Sequence, residues 1–156
     1  MSKPAIILAI DPATQLGWAT YDGTSYLSGS VCLVEAKEKG IRRDENRVAR
    51  LRDLLDGFSG VTRLIFEGSA GQRFKQAMKV ACQLEGVMLG WAHENGVLVE
   101  SVAPSAVKKF ATGYGGGSDK SPMMVAAKRL TGVDTDDPDE ADALCILAMA
   151  VGEATN

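Results

Sequence analysis

Four acidic residues stand where a folded chain could gather them around metal ions: Asp11, Glu67, Asp139 and Asp142. Asp11 and Glu67 each close a short apolar run, which is typical of a buried strand. Carboxylates at the edge of a sheet repel one another unless a cation lies between them, and hard divalent cations prefer oxygen ligands. A pair of such ions about 4 Å apart is a common device for phosphodiester cleavage.

Asp139 and Asp142 are three residues apart, so both carboxylates lie on one face of the helix that is expected to begin here. Asp137 is predicted to be the N-cap of that helix, with Pro138 at its first position and Glu140 completing a capping box. Taken alone, acids at a helix start need no metal, because the helix dipole favours them. Together with two acids at strand ends, metal binding is the favoured interpretation.

Composition predicts one soluble globular domain over residues 1–156. Hydrophobic residues make up 46% of the chain and charged residues 24%, which suits a protein with a proper core. No apolar run approaches the roughly 20 residues of a membrane span, so no membrane partner is expected. The three cysteines, Cys32, Cys82 and Cys145, lie far apart in apolar surroundings. They are predicted to be buried reduced thiols of a cytoplasmic protein rather than disulfide or zinc ligands.

The basic residues are unevenly distributed although the net charge is −3. Seven of them lie between positions 37 and 52: Lys37, Lys39, Arg42, Arg43, Arg47, Arg50 and Arg52. A basic rim around an acidic centre suits a polyanion that metal ions cut. A solvated helix face of mixed charge is an equally good interpretation of this segment.

Apolar patterning predicts strands over 5–11, 18–21, 26–34, 62–67 and 97–102, joined by turns and helices. Helices are expected over 43–58, 73–95, 105–110 and 120–130, with a last one from the Asp137 cap to about Gly152. Three antiparallel strands followed by parallel crossovers make a five-stranded mixed sheet with helices on both faces. This α/β order is that of the ribonuclease H-like fold.

Four segments in this order resemble the RuvC family of Holliday junction resolvases, in a form like those that phages encode. The first is the opening strand and glycine turn, ILAIDPATQLGWA at 7–19, and the second is the strand end IFEG at 65–68. The third is the glycine loop TGYGGGSDK at 112–120, and the fourth is the acidic helix DEADAL at 139–144. The likeness extends over about residues 5–153.

The resemblance implies two magnesium ions in each active site, for which manganese is expected to substitute. Asp11 would bridge both ions, Glu67 would serve one, and Asp139 with Asp142 the other. Lys120 would stabilise charge in the transition state. The remaining DNA contacts are assigned to five residues: Lys108, Lys109, Arg73, Phe74 and Lys75.

Common bacterial members of the family place an aromatic wedge shortly after the glutamate of the fourth strand. Here that position reads Ser69-Ala70-Gly71, and the nearest aromatic is Phe74, between two cations at the start of a long helix. Such an aromatic suits stacking on an unpaired base, but Phe74 is equally compatible with a core or dimer contact. The stripe of Ala77, Ala81, Leu84 and Met88 is likewise compatible with a core or with a dimer interface.

The expected function is a crossover junction endodeoxyribonuclease, acting as a homodimer in the cytoplasm of a bacterium or of a phage-infected host. It would cut four-way DNA junctions by paired symmetric nicks that leave 5′-phosphate and 3′-hydroxyl ends. Three alternatives stay open. These are a nuclease for RNA–DNA hybrids or branched DNA in general, a noncatalytic junction-binding protein, and an ATP-binding relative.

Overall fold

The protein is described by a computed structural model over residues 5–70, 72–113 and 121–155. Its strands are β1 (Ile6–Asp11), β2 (Gln15–Tyr21), β3 (Tyr26–Cys32), β4 (Val61–Glu67) and β5 (Leu98–Val102). Its helices are α1 (Gly40–Asp56), α2 (Lys75–Asn95), α3 (Pro104–Thr112), α4 (Ser121–Thr131) and α5 (Pro138–Thr155).

The strands form one sheet in the order β3-β2-β1-β4-β5. β1 pairs antiparallel with β2, and β2 pairs antiparallel with β3. β4 runs parallel to β1 and to β5, and the connections that lead into β4 and β5 contain α1 and α2. The predicted fold class, a five-stranded mixed sheet of three antiparallel strands followed by parallel crossovers, is therefore confirmed.

The two faces of the sheet pack against different helices because alternate strand residues point to opposite sides. Leu8, Ile10, Leu64 and Phe66 face α1 and α2, and we call this side the α1/α2 face. Ala9, Ala19 and Ile65 face α3, α4 and α5, and we call this side the α5 face. Each side has its own buried apolar cluster, so the sheet is covered on both faces.

Several element boundaries differ from the prediction by one to three residues, among them the end of β3 and the start of α2. β3 ends at Cys32 rather than residue 34, and the N–H of the next residue, Leu33, donates to the carbonyl of Thr14 in the turn between β1 and β2. α2 begins at Lys75 rather than residue 73, because the backbone of Phe74 is extended. Phe74 therefore precedes the helix and is not part of its first turn.

The prediction that all three cysteines are buried is wrong for two of them. Cys145 is buried in the α5 face, but Cys32 and Cys82 are exposed. Cys32 ends the edge strand β3, and Cys82 lies on the outward side of α2. Burial, with the charge of Asp142 beside it, raises the pKa of the Cys145 thiol to about 12.

Within the described ranges, no helix combines the length and the apolar character that crossing a lipid bilayer requires.

Candidate active site at the sheet edge

Asp11 and Glu67 end neighbouring parallel strands at the same edge of the sheet. The ladder pairs Ile10 with Phe66, and Asp11 and Glu67 are the next residue of each strand. Side chains alternate along a strand, and Ile10 and Phe66 point into the α1/α2 face. Asp11 and Glu67 therefore both belong to the α5 face, side by side and half-buried.

Asp139 is brought to the same edge by a close approach between α5 and β2. Gly17 of β2 pairs with Asp11 in the antiparallel ladder. A Cβ placed on Gly17 would overlap the backbone carbonyl of Asp139, so only glycine leaves room for this contact. The backbone of Asp139 consequently lies against the residue paired with Asp11.

Asp142 follows Asp139 by one helical turn and is half-buried. It is close enough to Cys145, one turn further along α5, for its charge to contribute to the raised pKa of that thiol. Because residues three apart share a helix face, Asp142 continues the line of carboxylates that Asp139 begins.

The start of α5 is capped as predicted. Asp137 Oδ1 accepts hydrogen bonds from the backbone N–H groups of Asp139, at 2.9 Å, and of Glu140, at 3.4 Å. Its other oxygen, Oδ2, accepts a hydrogen bond from the hydroxyl of Ser30 on β3. Asp137 therefore caps the helix and also attaches it to the edge strand.

The predicted capping-box role of Glu140 is corrected by its partners. The carboxylate of Glu140 accepts hydrogen bonds from Ser28 Oγ, at 2.6 Å, and from Thr135 Oγ1, at 2.9 Å. A capping box would require Glu140 to accept a hydrogen bond from the backbone N–H of Asp137. The hydroxyl of Thr135 accepts that hydrogen bond instead, at 3.0 Å. Glu140 thus ties α5 to β3, and Ser28 and Ser30 together hold the helix whose first turn contains Asp139.

The donor chemistry of this edge fits divalent metal ions, since four carboxylates supply only oxygen ligands. The backbone brings Asp11, Glu67 and Asp139 together, and Asp142 follows on the same helix face. Among the described residues, the side chains do not form a group of three or more His, Cys, Asp or Glu able to hold a metal ion. Metal binding by these four acids therefore stays a prediction that rests on backbone placement and ligand chemistry.

The basic rim expected along α1 is largely neutralised within the protein. Arg47 is only 2% exposed, and its Nη1 lies 2.8 Å from Asp44 Oδ1. Arg50 pairs with Glu38, and Arg52 pairs with Glu94. Lys37 and Arg42 also form ion pairs, with Glu35 and Glu45. The alternative interpretation, a helix face of mixed charge, describes α1 better.

The residues assigned to DNA contact have different surroundings. Phe74 is 76% exposed, so the core interpretation of this aromatic is wrong. Arg73 and Lys75 are exposed on either side of it. Lys108 and Lys109 lie on α3, which begins two residues after β5 at the same sheet edge. Lys120 lies outside the described residues.

The stripe on α2 belongs to the core of the α1/α2 face. Leu84 and Met88 are buried there, Ala81 of the same helix is also buried, and Ala77 is half-buried. The opposite side of α2 is exposed and is formed by Lys79, Cys82, Gly86, Leu89, Gly90 and His93. Three of these residues, Cys82, Gly86 and Gly90, are small.

Two residues that shape this edge were not predicted from the sequence. Gly17 was recognised only as part of a glycine turn, although its role is to admit the backbone of α5. Arg47 was counted as a surface cation, although it is buried and bonded to Thr14, three residues after Asp11. The burial of Arg47 could have been predicted from its position in α1. It lies on the same helix face as the other buried residues of α1, Asp44, Leu51 and Leu55.

The sheet order and the two helical layers define a ribonuclease H-like α/β fold. Solved structures with this fold include RuvC of Thermus thermophilus, with a TM-score of 0.72, 22% identity, and coverage of 96% of this chain and 95% of that one. The same T. thermophilus protein in complex with a Holliday junction substrate matches with a TM-score of 0.73 and 22% identity, over 96% and 94% of the two chains. The yeast mitochondrial Holliday junction resolvase matches with a TM-score of 0.65 and 11% identity, over 95% of this chain and 78% of that one.

No protein-family model matches the sequence, and no curated protein matches it either. At these identities the solved structures establish the shared fold.

Proposed function

We propose that this protein is a metal-dependent endonuclease of the RuvC family, of the kind that phages encode, which resolves four-way DNA junctions. The single observation behind the proposal is the convergence of Asp11, Glu67 and the Asp139 backbone at one edge of the sheet. The end-to-end fold likeness to RuvC supports it, because one of those structures holds a Holliday junction substrate. The proposed site of action is the cytoplasm of a bacterium or of a phage-infected host.

The carboxylates of Asp11, Glu67, Asp139 and Asp142 would together hold two magnesium ions. Bound there, the ions supply activation of water and stabilisation of the leaving 3′ oxygen. The chain's own contribution is to hold the carboxylates in place. The Gly17 contact fixes the start of α5, and Ser28 and Ser30 attach it to β3.

DNA contact is proposed on both sides of this edge. Phe74 is exposed directly before α2, where an unpaired base can stack on its ring while Arg73 and Lys75 contact phosphates. Lys108 and Lys109 on α3 would hold the backbone of the strand to be cut. Lys120, which follows the glycine loop in the sequence, is proposed to stabilise charge at the scissile phosphate.

A homodimer is proposed to form through the exposed side of α2. Gly86 and Gly90 face open space one turn apart, and Cys82 and Leu89 are exposed beside them. Small residues at this spacing let two helix backbones approach closely, and a two-fold axis would place two active sites against one junction. Symmetric nicks with 5′-phosphate and 3′-hydroxyl ends would follow.

A noncatalytic junction-binding protein is the less favoured function. Binding a polyanion gains nothing from four acids at one sheet edge, whereas a metal-dependent nuclease needs them. An RNA–DNA hybrid or a general branched DNA remains an alternative substrate for the same proposed site, and the experiment below separates these substrates.

The test is cleavage of a synthetic four-way junction, a linear duplex and an RNA–DNA hybrid, each with magnesium and with a chelator. The wild-type protein is expected to nick the junction symmetrically, only with magnesium, and to leave ends that a ligase seals. Asp11→Asn should bind the junction and not cut it, whereas Asp136→Asn, a change in the loop before α5, should cut normally. Chelator-resistant cleavage, or cleavage by Asp11→Asn, would overturn the proposal.

The dimer is tested separately by sedimentation velocity. Gly86→Arg on the exposed side of α2 is expected to convert a dimer into a monomer. Gly152→Arg, at an open helical glycine near the end of α5, serves as the control and should leave the dimer intact. A wild-type protein that sediments as a monomer with junction DNA bound would remove the dimer from the proposed function.

A further inference from the structure

The side chain of Arg47 is buried between three elements of the fold. It is 2% exposed, although it carries a full positive charge. Nη1 donates to Asp44 Oδ1 on α1 at 2.8 Å and to Gln83 Oε1 on α2 at 3.3 Å. Nε donates to Thr14 Oγ1 in the turn between β1 and β2 at 3.1 Å. One guanidinium therefore joins both helices of the α1/α2 face to this turn.

The turn that Arg47 reaches begins directly after Asp11. Thr14 is bound at two points, because its hydroxyl accepts from Arg47 and its carbonyl accepts from the N–H of Leu33 at 2.8 Å. The chain then enters β2, where Gly17 pairs with Asp11. The backbone on the exit side of Asp11 is thus held from the α1/α2 face, while α5 covers the other face.

A second contact strengthens the connection to α2. Lys79 Nζ lies 3.0 Å from Asp44 Oδ2, so Asp44 bridges Arg47 and α2. The same helix begins immediately after Phe74, the exposed aromatic proposed to stack on DNA. Arg47 therefore connects the turn after Asp11 to α2, because its guanidinium is hydrogen-bonded to both.

Stability alone does not account for a charge at this position, because a buried ion pair is often no better than apolar residues of similar volume. Groups that orient a metal ligand are, however, worth tenfold or more in affinity or activity. The hydrogen bond from Arg47 reaches Thr14, three residues after Asp11, so any effect on that ligand passes through the backbone of the turn. We propose that Arg47 and Thr14 are positioning residues, whose hydrogen bond sets the Asp11 turn so that the Asp11 carboxylate can bind metal. This inference rests on the proposed nuclease function, and in particular on Asp11 as a metal ligand.

The first test compares Thr14→Val, which replaces the hydroxyl by a methyl group, with Thr14→Ser, which keeps the hydroxyl. Thr14→Val is expected to lower kcat for junction cleavage by about tenfold and to raise the magnesium concentration for half-maximal rate by a similar factor. The KM for the junction should change less than about twofold, because DNA contacts are not altered, and Thr14→Ser should restore kcat to within about threefold of wild type. Wild-type kinetics in Thr14→Val, or equal losses in both variants, would overturn the proposal.

The second test uses Arg47→Lys, which keeps the charge but lacks the planar group that reaches Thr14 and Gln83 together. Its matched control is Arg52→Lys, because Arg52 also joins α1 to α2, through Glu94 near the end of α2. Arg47→Lys should reproduce the magnesium dependence of Thr14→Val, and Arg52→Lys should not. If both arginine variants behave alike after thermal melts confirm that they are folded, Arg47 has only a structural role.

Magnesium binding without DNA separates this inference from the proposed function. Magnesium titration of the wild-type protein should shift the amide NMR signals of Gln15 and Leu16, and Thr14→Val should require about tenfold more magnesium for the same shift. Asp11→Asn should abolish the shift. If Asp11→Asn removes binding while Thr14→Val binds as wild type does, only the positioning role fails. If both variants show the same magnesium-induced shifts as the wild-type protein, Asp11 is not a metal ligand and the proposed metal site is wrong.

Discussion

The two faces of the sheet are built from side chains of different size. The α1/α2 face is filled by large residues from the sheet and both helices, among them Leu8, Phe66, Met88 and Trp91. The α5 face is rich in alanine, from the sheet as well as from the helices: Ala9, Ala19, Ala111, Ala126, Ala127, Ala141, Ala143 and Ala150. Small residues let α5 lie close to the strands, and at Gly17 the approach reaches backbone against backbone.

This difference explains why the acids meet on the α5 face. Carboxylates on a strand and on a helix can share one cation only if the two backbones are close, and the α5 face provides that distance. The α1/α2 face instead separates its helices from the sheet by bulky groups and links them through buried polar contacts of Arg47. The closely packed face therefore holds the candidate site, and the bulky face supports it.

The largest loss of stability is expected at Gly17, where β2 and α5 are in closest contact. Gly17→Ala should cost more than about 3 kcal/mol in the free energy of unfolding, the upper end for overpacking, because a backbone carbonyl cannot turn aside. Junction cleavage should be lost in any protein that folds, since Asp139 is displaced. Urea unfolding measures the change. Gly29→Ala on β3 is the control, because its Cβ meets the movable side chain of Trp18 at 2.9 Å and should cost less.

A pair of neighbouring β1 substitutions tests the comparison directly. Leu8→Ala opens a cavity in the α1/α2 face and should cost about 3 kcal/mol of stability, with cleavage largely retained at temperatures where the protein is folded. Ala9→Leu overfills the α5 face and should cost about 2 kcal/mol, but cleavage should fall much further because α5 is pushed from the strands. Urea unfolding and single-turnover cleavage together give the result. A larger loss of cleavage in Leu8→Ala than in Ala9→Leu would contradict the conclusion that the α5 face holds the active site.

Acid is expected to lower the free energy of unfolding because it protonates Glu38. The hydrogen bond from Arg50, with that from the backbone of Glu35, lowers the pKa of Glu38 from 4.5 to about 2. A carboxyl with a depressed pKa stabilises the fold above its unfolded pKa and loses this contribution as pH falls through the folded value. The urea midpoint should therefore fall less steeply between pH 4.5 and 2 in Glu38→Gln than in wild type. Glu45→Gln, at an exposed ion pair with Arg42, should keep the wild-type slope.

The smallest effect concerns the thiols. At pH 8 Cys32 and Cys82 should react quickly with a thiol reagent, whereas Cys145 should not, because burial and Asp142 raise its pKa to about 12. Unfolding should expose the third thiol. If the dimer forms through α2, the reaction of Cys82 should slow as protein concentration rises while that of Cys32 stays constant. Fast labelling of Cys145 in the folded protein would show that the α5 face is not closely packed.

Most of the fold was predictable because its signals are local. The apolar run before Asp11, the short run before Glu67 and the cap at Asp137 each depend on residues within a few positions. The sheet order followed from the sequence of strands and crossovers. The positions of Asp11 and Glu67 at strand ends were likewise visible, since a strand end is marked by where its apolar residues stop.

What could not be predicted depends on partners distant in sequence. Ser28 meets Glu140 across 112 positions, so a local capping pattern suggested the wrong role for that acid. Arg47 meets Thr14 across 33 positions, so its charge suggested a surface residue. The exposure of Cys32 and Cys82 depends on which side of an element is covered, and apolar neighbours along the chain do not determine that.

The sequence by itself determined which residues are acids, where strands and helices form, and hence the class of fold, because these properties follow from residue type and near neighbours. Only the tertiary structure decided that Gly17 admits the backbone of Asp139, that Arg47 is buried beside the Asp11 turn, and which face of the sheet receives α5. Those outcomes depend on side-chain volume and hydrogen-bond partners contributed by separate elements, which meet only when the sheet is packed on both sides.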